Sequence, residues 1–305
     1  MSTLTEPVEP DTPTGPPVPA APDRAAETAD GYRPGHTLPL RVELVRQLKR
    51  RRTLVMGAVL AALPFVLAVA FAIGGEPGEG GDRVNLMDTA TASAANFVAV
   101  NLFVSAGFLL VIPVALFCGD TVASEAGWSS LRYLLAAPVP RARLLWSKLV
   151  AGLTLSLAAM VLLPVVALAV GTAVYGWGPL QIPTGGSLDE TAALRGLAVI
   201  VAYLFVSQLV TAGLAFWLST KTDAPLGAVG GAVGLTIVGN VLDAVTALGD
   251  WRHFLPAHWQ FAWADAIQPT PEYAGMIQGT AVSVTYALVL FALAFRGFAR
   301  KDIVS

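Results

Sequence analysis

The chain has 305 residues, of which 55% are hydrophobic and 13% are charged, and its formal net charge is -2. Soluble domains carry about 25% charged residues, so a chain with about half that share is not built for water alone. Several uninterrupted apolar runs of about 20 residues, the length that crosses a bilayer, predict an all-α protein with several membrane spans. The single cysteine, Cys118, excludes an intramolecular disulfide and is expected to be a small buried hydrophobe.

Two different segments precede the first apolar run. Residues 1–37 are rich in proline and poor in bulky apolar groups, which predicts a disordered cytoplasmic tail, either a docking arm or a passive extension. Residues 38–53 are predicted to form an amphipathic helix at the membrane interface, with Leu40, Leu44 and Leu48 on one face and basic residues on the other. That leucine stripe beside a span argues against a nucleic-acid-binding segment, so no nucleic acid is expected as a partner.

Residues 54–305 are predicted to form a six-helix transmembrane domain. Pro164 predicts a kink in the third helix. The predicted spans are at about residues 54–73, 96–118, 149–175, 196–219, 226–248 and 275–295.

Lys and Arg placement predicts that both termini are cytoplasmic, because only Arg83, Arg195 and Arg252 then fall in outer loops. The loop between the second and third spans is long, whereas Thr220–Pro225 is all that links the fourth and fifth. This asymmetry argues against the inverted repeats of many secondary transporters.

The segment from Asp120 to Lys148 is a polar island between two spans. Gly127 is predicted to end a short extension of the second span. An amphipathic helix is predicted next, followed by a turn at Pro138 and Pro140 and a helix that opens at Arg141. The alternative is an ordinary charged loop. The leucine stripe and the interfacial tryptophan favour a helix offered to a partner, and its residues are Trp128, Leu131, Leu134 and Leu135.

This island resembles the cytoplasmic loop of ABC-2-type exporter permeases. The helix at 40–52 is similar to the family's amino-terminal connecting helix, and Phe298–Ile303 is similar to its usual ending, so the resemblance runs from Leu38 to Ile303. Trp128 departs from the pattern, where a small residue or Thr is commoner. The residues that carry the resemblance are Asp120, Glu125, Gly127, Trp128, Leu131, Leu134, Leu135, Pro138, Val139, Arg141 and Lys148.

The resemblance implies a multi-pass permease subunit of an ATP-driven exporter in the bacterial plasma (inner) membrane. It implies two kinds of partner, a separate ABC ATPase subunit and a second permease copy or paralogue. It also implies that a coupling helix between the second and third spans transmits closure of the ATPase. The residues implied in coupling are Glu125, Gly127, Trp128, Leu131, Leu134, Leu135, Pro138, Arg141 and Lys148.

The chain itself is not expected to be an enzyme. A P-loop needs a Gly-Lys pair to hold phosphates, and no such dipeptide occurs. ATP and Mg²⁺ are therefore expected in the partner subunit, with no cofactor or metal in this chain. A membrane protease is disfavoured because His36, His253 and His258 all lie outside the predicted spans.

The loop between the fifth and sixth spans combines aromatic and titratable residues. His253, His258, Asp250 and Asp265 could together bind a metal, but their spacing matches no strong template. Neighbouring tryptophans instead favour a short extracellular helical hairpin at the membrane interface.

Polar residues within the spans are candidates for lining a translocation path. Interhelical hydrogen bonds explain them equally well, and both interpretations stay open. These residues are Asn101, Ser105, Tyr203, Ser207, Gln208 and Thr211.

Two other functions fit the predicted topology. A membrane scaffold or sensor would lack an ATPase partner. An ion-gradient secondary transporter would need buried ionisable groups, of which the spans offer little beyond Asp243.

Overall fold

A computed structural model describes residues 40–74, 86–127, 141–183, 185–268 and 270–300. The predicted tail at 1–37 lies outside these residues, as does the part of the polar island from 128 to 140. The latter includes Trp128, Leu131, Leu134, Leu135 and Pro138.

The described part of the chain is mostly helical, and its helices follow the predicted order. The α-helices within it are α1 (Leu40–Leu48), α2 (Arg51–Gly74), α3 (Ala94–Ala106), α4 (Val111–Gly127), α5 (Arg141–Val174), α6 (Glu190–Ser207), α7 (Leu209–Lys221), α8 (Pro225–Ala244) and α9 (Ala274–Ala299).

Length and hydropathy allow five or six of these elements to cross a membrane. Helices α2, α5, α8 and α9 each qualify, as does the stretch Glu190–Lys221 that contains α6 and α7. The pair α3 and α4 adds a sixth if its two halves form one span, and they are bent by 53°. The prediction of a helical protein with several potential membrane spans is confirmed in this coarser form.

The second predicted span is not one straight helix. The regular pattern stops at Gly107–Leu110, where the Leu110 amide donates to the Ser105 carbonyl at 2.9 Å and the Val111 amide to the Phe108 carbonyl at 3.1 Å. Pro113 has no amide hydrogen to offer the carbonyl four residues earlier, which favours an interruption just before it. The hydropathy of residues 96–118 gave no sign of this bend.

The fourth predicted span also contains a discontinuity. Helix α6 ends at Ser207 and α7 begins at Leu209, with Gln208 between them at φ -76° and ψ -5°. By contrast, α5 continues through Pro164 for 34 residues.

Helix α4 lies at the centre of the packing, where it contacts α5, α7 and α8, while α9 packs on α7 and α2 on α5. Small residues permit these close approaches. A Cβ at Gly152 would lie 2.9 Å from the Phe117 carbonyl oxygen, and one at Gly119 would lie 3.1 Å from a Val229 methyl. Cys118 is fully buried in this core, as predicted.

The loop after α5 contains a small hairpin that was not predicted. Strand β1 (Leu180–Gln181) pairs antiparallel with β2 (Ser187–Leu188). Asn96 of α3 anchors it, because its side-chain amide donates to the Gln181 carbonyl at 2.8 Å and its oxygen accepts from the Gln181 amide at 2.9 Å.

The segment between α8 and α9 is helical, but its turns are 3-10 rather than α. It forms three short helices, Thr246–Phe254, Pro256–Trp259 and Ala262–Ile267. Trp263 is fully buried, so part of this segment belongs to the core.

Candidate functional site

A cluster of ion pairs joins α1 and the beginning of α2 to α4 and α5. It contains four basic and three acidic side chains, which come from parts of the sequence far apart. These are Glu43, Arg46, Arg50, Arg52, Asp120, Glu125 and Lys148.

The pair between Lys148 and Glu125 is the most deeply buried part of this cluster. The Lys148 ammonium lies 2.6 Å from Oε1 of Glu125, and the two side chains are 2% and 1% exposed. Charges this far from water persist only when they are paired and hydrogen-bonded. The pair therefore ties α5 to α4 at a fixed separation.

Helix α1 supplies a second layer around this pair. Arg46 contacts Oε1 of Glu125 and lies 2.6 Å from Glu43, while Lys148 lies 3.6 Å from Glu43. The Gln47 amide also donates to Glu43, at 2.8 Å. Helix α1 is thereby held against both α4 and α5.

The surroundings of Glu43 and Arg46 favour their charged forms. Burial opposes ionisation of Glu43, but the Lys148 charge, the Gln47 hydrogen bond and Arg46 together hold the pKa of Glu43 below its usual value. Burial likewise opposes the charge on Arg46. Its contacts with Glu125 and Glu43 outweigh that effect and raise the pKa of the guanidinium.

Asp120 forms the other half of the cluster, one to two helical turns before Glu125. Its two carboxylate oxygens accept from different arginines, Oδ2 from Arg50 at 2.5 Å and Oδ1 from Arg52. Arg50 also donates to the Ser124 hydroxyl at 3.4 Å. The turn between α1 and α2 is thus attached to α4.

The cluster lies beside both ends of residues 128–140. Glu125 comes two residues before α4 ends at Gly127, and Lys148 lies two turns into α5, which begins at Arg141. Arg141 itself donates to the Ala299 carbonyl at 3.3 Å, near the end of α9. Of the predicted coupling residues, Glu125 and Lys148 come together, and Arg141 and Gly127 flank them.

The α1 and α2 partners of the cluster were not predicted as site residues. Part of their signal was present in the sequence, because Glu43 and Arg46 are three residues apart and share a face of α1. Arg50 and Arg52 lie outside α1, in the turn after it and at the start of α2. A membrane-surface helix accounts for such charges without any protein partner, so the pattern alone does not identify one.

The predicted path residues do not form a single group. Asn101 and Ser105 bond to backbone carbonyls of their own helix, α3, at 2.8 and 2.7 Å. The Tyr203 hydroxyl donates to the Trp259 carbonyl at 2.5 Å. Ser207, Gln208 and Thr211 do come together, in the lining of one cavity.

The titratable residues near the end of α8 form a separate small cluster. Asp243 lies 2.8 Å from Nδ1 of His258 and 3.3 Å from Nε of Arg252, and the His253 and His258 rings are 4.8 Å apart. Asp250 contacts this cluster only through its backbone carbonyl, which lies 3.0 Å from Nδ1 of His253, and no described contact joins the Asp250 or Asp265 carboxylate to it. Across the described ranges, no group of three or more such side chains is arranged to hold a metal ion.

Comparisons with known proteins identify a family but not an activity. The chain belongs to the family described as protein of unknown function (DUF2705), whose model matches residues 82–304. It is also similar to the uncharacterized protein YhcI of Bacillus subtilis (strain 168). The two are 26% identical over 219 residues, which cover 68% of this chain and 67% of that protein.

Proposed function

We propose that this chain is the membrane-spanning permease subunit of an ATP-driven transporter of the ABC-2 type, acting as an exporter in a bacterial inner membrane. A separate ATPase subunit would bind the segment at residues 128–140, and a second permease copy or a paralogue would complete the transporter. The proposal rests on the resemblance of the polar island to that class and on the ion-pair cluster beside it. The family and the relative have no assigned activity and add nothing to this argument.

The observation that best supports coupling is the buried Lys148–Glu125 pair. Residues 128–140 connect the end of α4 to the start of α5, so a push on them would act on both helices. Lys148 and Glu125 are 2.6 Å apart and shielded from water. Separating the end of α4 from the start of α5 would leave both charges buried without each other, which is energetically unfavourable. A displacement of the segment would therefore move α4 and α5 as one body.

The cluster also offers a route from that body to the rest of the bundle. Helix α4 packs against α7 and α8, so its movement would be passed to the helices on its other side. Helix α1 is attached to α4 through Arg46, and the turn that follows it is attached through the Arg50 and Arg52 pairs with Asp120. Its basic and apolar faces suit the cytoplasmic surface of the bilayer, where it would slide with the moving helices.

The first test is to purify the full chain, gently solubilised from its native host, and to look for a co-purifying subunit with a P-loop. We expect such a subunit in stoichiometric amount, together with ATPase activity in the complex. A preparation that transports or signals without any nucleotide-binding subunit would refute the proposal and favour a secondary transporter or a sensor.

The second test separates coupling from assembly. Leu131→Asp introduces charge into the predicted apolar stripe, and we expect ATP hydrolysis to persist while ATP-dependent movement of α4 and α5 is lost. Spin labels on α4 and α5 would report that movement when ATP is added. Leu131→Met keeps the stripe apolar and is the matched control, which should behave as the wild type. Equal ATP-dependent movement in the aspartate and methionine variants would contradict the proposed role of this segment.

A further inference from the structure

A cavity of about 310 Å³ lies between α7, α8 and α9 and is closed at one side by the 3-10 helix Pro256–Trp259. Its walls are largely apolar, with Leu214, Leu235 and Leu290 among them, and no charged side chain contributes to the lining. The volume is at the lower end of the range for small-molecule sites, which is about 300–1,000 Å³.

The polar groups of this cavity are concentrated where two helices are interrupted. The Gln208 side-chain amide, between α6 and α7, donates to the Ala106 carbonyl at 3.4 Å. The Asn240 amide of α8 donates to the Gly107 carbonyl at 3.3 Å. Both accepting carbonyls lie at the α3–α4 bend, where the regular helical hydrogen bonds are interrupted. Interrupted helices with such satisfied backbone groups are found where a membrane protein lines a cavity.

Two polar atoms on lining residues are themselves buried and have no hydrogen-bond partner in the described part of the chain. One is Oε1 of Gln208, an acceptor on a residue that is 6% exposed, and the other is Nε2 of Gln260, a donor. Because the Gln208 amide nitrogen donates to the Ala106 carbonyl, the oxygen is the atom that a rotation of the side chain would turn toward a molecule in the cavity. A buried polar group without a partner is costly, so side-chain rotations that bring both atoms into contact with a ligand would be favourable.

The remaining polar contacts favour a neutral ligand. The hydroxyls of Thr211 and Thr236 lie 3.3 Å apart, and Thr236 also donates to the Ala232 carbonyl. These groups can accept or donate a hydrogen bond but cannot neutralise a charge. An ionised head group would be buried without a counter-charge, which is strongly unfavourable.

We propose that this cavity binds a neutral amphipathic molecule whose head group carries both a hydrogen-bond donor and an acceptor, as a primary amide does. The head would accept from Gln260 and donate to Gln208, and the apolar body would lie against the leucine walls. The inference does not depend on the coupling proposed above, because binding requires neither an ATPase subunit nor ATP.

The test uses the full chain in lipid nanodiscs and two photoreactive probes of equal chain length. One is decanamide with a diazirine on its chain, and the other is the corresponding decane sulfonate, which stays ionised. We expect saturable labelling by the amide at peptides that contain the cavity residues of α8, α9 and the 3-10 helix. The sulfonate should need about tenfold more probe for half-saturation, because its charge has no partner in the cavity.

Two variants with matched controls locate the binding. Gln260→Leu removes the free donor, and we expect about fivefold weaker amide labelling, the effect of one neutral hydrogen bond. Gln278→Leu makes the same change at an exposed position of α9 outside the cavity and should have no effect. Gly239→Leu fills the cavity and should abolish saturable labelling. A Cβ at that position would meet only Ala257, at 4.0 Å, so the backbone accepts a side chain.

Gly230→Leu is the control for the steric variant, since a Cβ there meets nothing within 4 Å. Gel filtration of each variant confirms that it is folded before labelling. Equal half-saturation for amide and sulfonate would overturn the proposal. So would equal labelling of the Gln260→Leu and Gln278→Leu variants, or labelling spread over lipid-facing helices, since water alone would then satisfy the two glutamines.

Discussion

Replacing Lys148 by methionine is the sharpest test of the ion-pair cluster. Methionine keeps most of the volume and flexibility of the lysine side chain but cannot carry charge. The change leaves the Glu125 carboxylate, on a side chain that is 1% exposed, without its partner at 2.6 Å. Removing one member of a buried pair typically costs about 3–5 kcal/mol of stability.

We expect the lower end of that range, about 3 kcal/mol, because Arg46 still contacts Glu125. The double variant Lys148→Met with Glu125→Gln should recover at least half of the loss, since it removes the buried carboxylate charge as well. The assay is unfolding of the purified chain by SDS in mixed micelles, followed by tryptophan fluorescence.

Lys49→Met is the matched control, because Lys49 is exposed on the same side of the bundle, just after α1. A surface change of this kind should alter the free energy of unfolding by less than about 0.5 kcal/mol. If Lys148→Met destabilises the chain no more than Lys49→Met does, the cluster does not hold α4 and α5 together.

Three further outcomes follow from particular contacts. Folding lowers the pKa of Glu43 below its ordinary value of 4.5. The charged carboxylate therefore stabilises the fold above pH 4.5, and this contribution is lost as the pH falls through the lower pKa of the folded chain. The SDS unfolding midpoint of the wild type should therefore fall more steeply than that of Glu43→Gln as the pH is lowered from neutral to below 4.5; parallel curves would contradict this. Gly279→Ala should lower the free energy of unfolding by about 1–3 kcal/mol in the same assay, because a Cβ there would lie 2.5 Å from Cβ of Trp259. Gly230→Ala is the control and should be nearly neutral, because a Cβ there meets nothing within 4 Å. Tyr203→Phe removes the hydroxyl bond to the Trp259 carbonyl and should speed amide hydrogen exchange in the 3-10 segment while leaving α1 unchanged; unchanged exchange would show that this bond does not hold the segment.

Much of the helical architecture was predictable because hydropathy is a local property. A run of about 20 apolar residues needs a bilayer or a large core wherever it lies in the chain, so the ranges of α2, α5, α8 and α9 could be read directly. The leucine repeat of α1 was predictable for the same reason, since it depends only on residues within three turns of one another.

The candidate site was predictable only in part. The resemblance of the polar island to ABC-2-type permeases implied Glu125 and Lys148 as site residues, and the structure brings these two together. The contribution of α1 was not predictable, because an amphipathic basic helix has the same pattern whether it rests on lipid or on another helix. Only the packing of α1 against α5 makes Arg46 and Glu43 members of the cluster.

By itself, the sequence determined the apolar helices, their order and the polar island between two of them, since each depends on neighbouring residues. The tertiary structure decided where helices break and what compensates the break. The Gln208 side-chain amide donates to the Ala106 carbonyl, 102 positions away in the sequence, and the Asn240 amide donates to the Gly107 carbonyl, 133 positions away. No local pattern contains both members of such a pair, and the buried Glu125–Lys148 contact and the neutral cavity likewise exist only once distant helices have packed.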